Sequence, residues 1–273
     1  GSVITGDKAK AFELNAEETK LITFDSEHPI STNPQLFTAE VKINGIAAIL
    51  TVKKELRAMF AEPTVKELKI DGDLSDWPVE KTTVLNYKNA IAHTEWTGDE
   101  KKVTADIRTA WSTDYLYIAV TVHKKGFYPV NNQKVWEGDG LQIAFDTVCN
   151  GKKGAGYGDD DFEYGIAKQH GKPEVYRFHA SSASYDSLGK MIGKLNDSQV
   201  IAAIKEYPDK QVYEMAFSRR AVSPFRLEAG NVMNWNLIVN MSNGKKRIGY
   251  MEITPGIGSG KDPYMFMPLL LKK

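Results

Sequence analysis

Between Val103 and Ile253 the chain is built from short runs in which apolar residues recur at every second position, separated by Gly, Asn and Asp. No stretch of comparable length carries a helical spacing. A period of two places successive side chains on opposite faces of a strand, so this pattern commits the chain to half-buried strands. Val103, Ala105, Ile107 and Thr109 alternate with polar partners, and Leu116–Val122 reads as a buried strand. Leu141–Phe145, Glu174–Phe178, Gln211–Phe217, Trp235–Val239 and Arg247–Glu252 follow. Many short strands with turn residues between them and no intervening helices predict an all-β fold. The expected form is an antiparallel β-sandwich of the jelly-roll or immunoglobulin-like kind.

Residues 1–62 read as a separate β segment, a hairpin or partial sandwich, and 63–273 as the main sandwich, with Glu62-Pro63-Thr64 at the boundary. Leu36–Ile43 and Ile46–Val52 flank Asn44-Gly45. Both turn residues tolerate positive φ, so a two-residue hairpin turn is expected there. A lone hairpin is marginal in water, so this piece must pack on something.

Charge excludes several function classes. Lys plus Arg equals Asp plus Glu at 35 each, so no net field draws in a polyanion, and nucleic acid and anionic membrane are not expected partners. No apolar run approaches the roughly 20 residues that span a bilayer. The chain begins Gly1-Ser2 without Met, so the lack of a signal segment says nothing about compartment. The five histidines (His28, His93, His123, His170, His179) show no metal-binding spacing, which argues against a catalytic zinc site.

Several phrases then occur in a telling order: Ile70-Asp71-Gly72-Asp73-Leu74-Ser75-Asp76-Trp77, Ala110–Val120, and Trp136-Glu137-Gly138-Asp139-Gly140-Leu141-Gln142. Gly156–Tyr164 and finally Arg247-Ile248-Gly249 and Lys261-Asp262-Pro263 complete the set. In this order they resemble the family 9 carbohydrate-binding modules, appendages of xylanases and other secreted polysaccharide-degrading enzymes. The resemblance implies a secreted, periplasmic or cell-surface β-sandwich without catalytic activity. It implies binding of a gluco- or xylo-oligosaccharide, stabilisation by calcium, and work beside a fused or associated glycoside hydrolase. In such modules two Trp side chains clamp a sugar while amides and carboxylates bond its hydroxyls. Trp136 aligns with the first clamp residue, and Gln142 and Glu163 align with hydroxyl-binding groups. The second clamp Trp is replaced by Gly260, and an expected Arg by Gly165.

The residues support a sugar site independently of that resemblance. A sugar presents a C–H face that stacks on an aromatic ring, and hydroxyls that demand several polar contacts. Trp136 follows the polar run Asn131-Asn132-Gln133-Lys134, a loop setting suited to binding. Trp96, in a polar stretch, is a candidate for the missing clamp. Trp77, Trp111 and Trp235 sit among apolar strand residues and read as core. Gln142 shares a strand face with Ala144, away from Leu141, Ile143 and Phe145. Asp139 reads as a turn residue satisfying backbone donors. Asp159, Asp160 and Asp161 are candidate calcium ligands, with a solvated acidic loop as the other reading.

Two other functions stay open on the sequence. Met233, Met241, Met251, His123 and His179 leave room for a haem b electron-transfer sandwich. The Gly260 and Gly165 departures leave room for a cell-surface interaction domain that has lost sugar binding.

Overall fold

The structure is a computed structural model that describes residues 35–42, 49–78, 82–88, 91–92, 98–184 and 187–273. It separates into two compact units, Gly1–Ala58 and Met59–Lys273. In the first, β1 (Gln35–Lys42) and β2 (Ile49–Leu56) pair antiparallel, with Lys42 opposite Ile49. A two-residue Asn44-Gly45 turn would instead put Lys42 opposite position 47. The pairing is displaced by two residues from that expectation. A displacement of two leaves every side chain on its own face, which is why alternation alone does not distinguish the two registers. The turn itself lies outside the described residues.

The second unit contains the remaining strands. They are β3 (Met59–Pro63), β4 (Thr83–Asn86), β5 (Ile91–Ala92), β6 (Thr104–Trp111), β7 (Tyr115–His123), β8 (Gly140–Asp146) and β9 (Asp161–Gln169). β10 (Lys172–His179), β11 (Gly193–Lys194), β12 (Val200–Glu206), β13 (Lys210–Ser218), β14 (Val232–Ser242), β15 (Arg247–Glu252) and β16 (Met267–Leu271) follow. They form one curled sheet in the order β11-β10-β9-β8-β14-β16-β3-β6-β7-β13-β12, with β15 beside β14 and β4 beside β6. Its two halves fold over one another as the layers of a β-sandwich, as the alternation predicts. The pairs are antiparallel except at β3, which runs parallel to both β16 and β6 and joins the halves.

The core lies between the layers. Leu141, Ile143 and Phe145 of β8 and Phe162, Tyr164 and Ile166 of β9 meet Ile118 and Val120 of β7 and Tyr213, Met215 and Phe217 of β13. Phe217 anchors the contact, edge-to-face with Phe145 (centroids 5.3 Å apart) and Tyr164 (5.2 Å). Burying each such ring stabilises the fold by roughly 1.5–3 kcal/mol.

The outer faces are covered as well. Over β6, β7 and β13, Leu68 and Trp77 pack on Ala110, Tyr117, Ala119 and Ala216, where the alanines leave room for the indole. Glu214 points outward from β13 and anchors this cover. Its carboxylate accepts from the Trp77 indole N–H at 2.8 Å and from the backbone N–H of Asp71 and Gly72 at 2.9 and 2.7 Å. Over the other layer, the loop around Ile257 and Phe266 covers Ala144, Ile238 and Tyr250.

Candidate functional site

Trp136 lies in a short 3-10 turn, Val135–Glu137. Val135 is fully buried and fixes the turn on the sheet, while Trp136 is half-buried and packs edge-to-face on Phe178 of β10 (centroids 5.3 Å, planes 76° apart). A rigid, partly exposed indole is thus presented to a cleft of about 410 Å³, lined also by Tyr157, Glu163, Tyr176, His179 and Lys261. Tyr157 lies against the His179 ring at 4.8 Å. Burial, and after it the nearby Glu163 carboxylate, pushes the Tyr157 hydroxyl well above the ordinary phenol range. It therefore remains a proton donor at neutral pH.

Glu163 forms the polar floor. It points outward from β9, and its Oε1 accepts from Lys261 Nζ at 2.6 Å and Gln142 Nε2 at 2.8 Å. Gln142 Oε1 accepts in turn from Asn240 Nδ2 at 3.1 Å, and Asn240 Oδ1 from Arg247 at 2.7 Å. A hydrogen-bonded chain thus runs across four strands from Lys261 to Arg247. Gln142 points away from the core, as its alternation predicts; it and Glu163 are both buried, at 5% and 2% exposure, but only Glu163 lines the cleft. The place of Gln142 is to hold Glu163. Lys261 occupies a left-handed backbone conformation (φ 54°) that turns its ammonium back over β9.

The two glycine departures have physical counterparts. A Cβ on Gly165 would lie 2.5 Å from the Phe178 ring and 2.6 Å from Val135. The volume of an Arg there is already taken by the residues that fix Trp136. At Gly260, with φ 154°, a Cβ would meet nothing within 4 Å. Trp96 lies outside the described residues. Trp77, Trp111 and Trp235 are buried at 8%, 8% and 0% exposure.

Asp139 does not face this cleft. It is buried, accepts backbone N–H groups from Tyr128 and Ser242 as its turn setting predicts, and pairs with Lys124 at 3.0 Å. Asp139 and Glu163 are therefore each ion-paired in different surroundings and do not flank one cleft as a hydrolytic carboxylate pair would. Met233, Met241 and Met251 are fully buried core residues, and none lines the cleft.

The Asp triplet divides. The β8–β9 register sets Asp146 opposite Asp161, and the carboxylate oxygens of Asp146, Asp160 and Asp161 lie within 4.8 Å of one another. All three are buried, at 0%, 5% and 1% exposure. Among the described residues no Lys or Arg pairs with them, and Asp161 Oδ1 has no hydrogen-bond partner. Burial pushes the Asp161 carboxyl up to about 7. Asp159 turns away: its side chain accepts from Ser182 Oγ at 2.7 Å, and its carbonyl from Ser181 Oγ and the Ala183 N–H. Three clustered, buried oxygen donors without a countercharge fit a hard divalent cation.

A family model described as "Carbohydrate family 9 binding domain-like" matches residues 70–273. Endo-1,4-beta-xylanase A of Thermotoga neapolitana and that of Thermotoga maritima are each 26% identical over 206 residues, covering 75% of this chain and 17% of the xylanase. The chain thus spans about a sixth of the length of these relatives. Among solved structures, a family 9 carbohydrate-binding module from Caldicellulosiruptor kristjanssonii in complex with glucose aligns with a TM-score of 0.57 at 16% identity. The alignment covers 78% of this chain and 95% of that one. The same module in complex with cellotriose aligns equally well, over 93% of its length. At this identity the likeness concerns the fold, and on the family match over residues 70–273 the chain belongs to the carbohydrate family 9 binding domain-like family.

Proposed function

We propose that this chain is a non-catalytic carbohydrate-binding module whose Trp136 cleft takes a gluco- or xylo-oligosaccharide. The observation that carries the reading is the half-exposed Trp136, held by Val135 and Phe178 beside the Glu163–Lys261 pair. A pyranose C–H face stacks on the indole. Its hydroxyls then find an acceptor in Glu163 and a donor in Lys261, which both line the cleft. The glucose and cellotriose bound by the Caldicellulosiruptor module and the xylanase relatives support this substrate class. In this reading the module works outside the cell, secreted, periplasmic or at the surface. It raises the effective concentration of a fused or associated glycoside hydrolase on its polymer, which requires no chemistry of its own. Calorimetric titration with cellotriose and xylotriose tests it. Saturable heat with at least one of them is expected, and no binding to any neutral gluco- or xylo-oligosaccharide overturns it.

Calcium belongs to the same reading, with Asp146, Asp160 and Asp161 as its ligands and a structural role at the β8–β9 edge. A cation bound only by the folded state stabilises by about 2.7 kcal/mol at a hundredfold excess over Kd. For a domain of this size that corresponds to roughly 5–10 °C in unfolding midpoint. Chelator-treated protein should gain such an increment on adding calcium, and Asp161→Asn should remove the increment. A midpoint indifferent to calcium would count against the assignment.

Restoring the family's Arg should not improve the site. Gly165→Arg drives a side chain into Phe178 and Val135, and overpacking of this kind costs about 1–3 kcal/mol. Thermal unfolding should show a lower midpoint, with weaker rather than tighter sugar binding.

A further inference from the structure

A second, larger cleft of about 570 Å³ lies on the other side of the Asn131–Glu137 segment, and it uses none of the residues that line the Trp136 cleft. Its floor carries Tyr128, whose side chain is exposed (45%) yet firmly placed. The Tyr128 N–H donates to Asp139 Oδ2 at 2.5 Å and its carbonyl accepts from the Asp139 N–H at 3.0 Å. The Lys124 ammonium sits 5.0 Å from the ring centroid. Gly244 packs so closely on the ring that a Cβ there would lie 2.9 Å from it. Asp139 holds the facing wall too, accepting the Ser242 N–H at 3.0 Å. One buried carboxylate therefore pre-sets an exposed aromatic platform and the turn that faces it, an arrangement that lowers the ordering cost of binding.

The charges around this platform are unequal. Its two carboxylates are already engaged, Glu206 with Lys168 at 3.0 Å and Glu137 with Lys134 at 3.5 Å. Lys245 and Lys246, both exposed on the Ser242 turn, have no acidic partner among the described residues. Asn131 and His170 add polar groups to the lining. An aromatic face, hydroxyl-directed polar groups and two unpaired ammonium groups match a ring that has a C–H face, several hydroxyls and an anionic substituent.

From these features we infer that the Tyr128 cleft is a second ligand site, for a saccharide bearing a carboxylate, that is, a uronic acid residue. The ring stacks on Tyr128 while its carboxylate meets Lys245 and Lys246. The site is separate from the Trp136 cleft and stands without it.

The test compares a glucuronic-acid-substituted xylo-oligosaccharide with the same unsubstituted backbone, titrated into Trp136→Ala protein so that the first cleft is silent. The acidic saccharide should bind at least about tenfold more tightly than the neutral one. Tyr128→Ala, and separately the Lys245→Ala/Lys246→Ala pair, should each weaken it by about tenfold, whereas Tyr128→Phe, which keeps the ring, should retain most of the affinity. Binding should weaken from 0.01 to 0.1 M salt, as the Debye length falls from about 30 to about 10 Å. Unchanged unfolding midpoints exclude loss of fold as the cause. Equal binding of acidic and neutral saccharides, no binding of the acidic one, or indifference to Tyr128→Ala would overturn the inference. A neutral sugar that fails to bind wild-type protein bears only on the Trp136 reading.

Discussion

Trp136→Ala is expected to abolish measurable binding of cellotriose or xylotriose while leaving the protein folded. The indole supplies a partly exposed aromatic wall of the first cleft, with Phe178 edge-on behind it at 5.3 Å. Truncation removes the stacking surface, and it also uncovers Phe178. Anchoring aromatics of this kind cost about 2–4 kcal/mol when truncated, or roughly 30- to 1,000-fold in Kd. A module that starts with modest affinity then falls below detection. Stability should hardly change, because the side chain that fixes the turn is the fully buried Val135. Trp136→Phe separates stacking from mere bulk and should recover part of the affinity. Titration of both variants beside their unfolding curves checks the expectation. An affinity unaffected by Trp136→Ala would move the sugar site elsewhere.

The fold was legible because alternation survives wherever one strand face is core. Each of the runs beginning near Val103, Leu116, Leu141, Glu174, Gln211, Trp235 and Arg247 became a strand. Strand β9 carries the same alternation, with Phe162, Tyr164 and Ile166 on the core face and Asp161, Glu163 and Gly165 on the other, but it begins inside the acidic Gly156–Tyr164 phrase, where the charged run masks it. In the site, the direction of Gln142 was readable from its neighbours. Its depth was not, because the loop that covers this face comes more than a hundred residues later. Asp146 was invisible as a partner of Asp160 and Asp161 for a related reason: only the β8–β9 register brings it there. Tyr157, Phe178 and His179 carry no local signal. They matter through where β10 and the loop before β9 set them, whereas Trp136 stood out through its place in the family's phrase and the polar run before it.

The Glu214→Ala variant should be the most destabilised of the single substitutions considered. Glu214 is fully buried, on the outer face of β13, and its carboxylate is the acceptor for the Trp77 indole and for the Asp71 and Gly72 amides. Gly72 has φ 80°, and a Cβ there would lie 2.7 Å from Lys205, so the segment is committed to this contact and has little room to find other partners. Removing the carboxylate leaves three donors without acceptors, at about 1–3 kcal/mol each where water cannot reach them, beside a new cavity. A net loss of about 3–5 kcal/mol follows, since the segment can lift away and rehydrate some of those groups. Lifting also exposes Trp77 and Leu68, which pack on Ala110, Ala119 and Ala216. At roughly 2–4 °C per kcal/mol for a domain of this size, the midpoint should drop by about 6–20 °C. Glu214→Gln is the sharper variant: its oxygen can still accept, but its amide nitrogen turns a donor toward N–H groups. It should lose about 1–3 kcal/mol with the shape intact. Asp76→Ala, which removes an exposed acceptor for the Lys69 N–H, should cost far less. Thermal and denaturant unfolding of the three variants gives the ranking. Glu214→Gln as stable as wild type would mean that packing of Trp77 alone holds the cover. Because Glu214 and the Trp136 cleft lie on different layers of the sandwich, sugar affinity measured well below the midpoint should be unchanged in Glu214→Gln. That result would separate what holds the scaffold together from what binds the ligand.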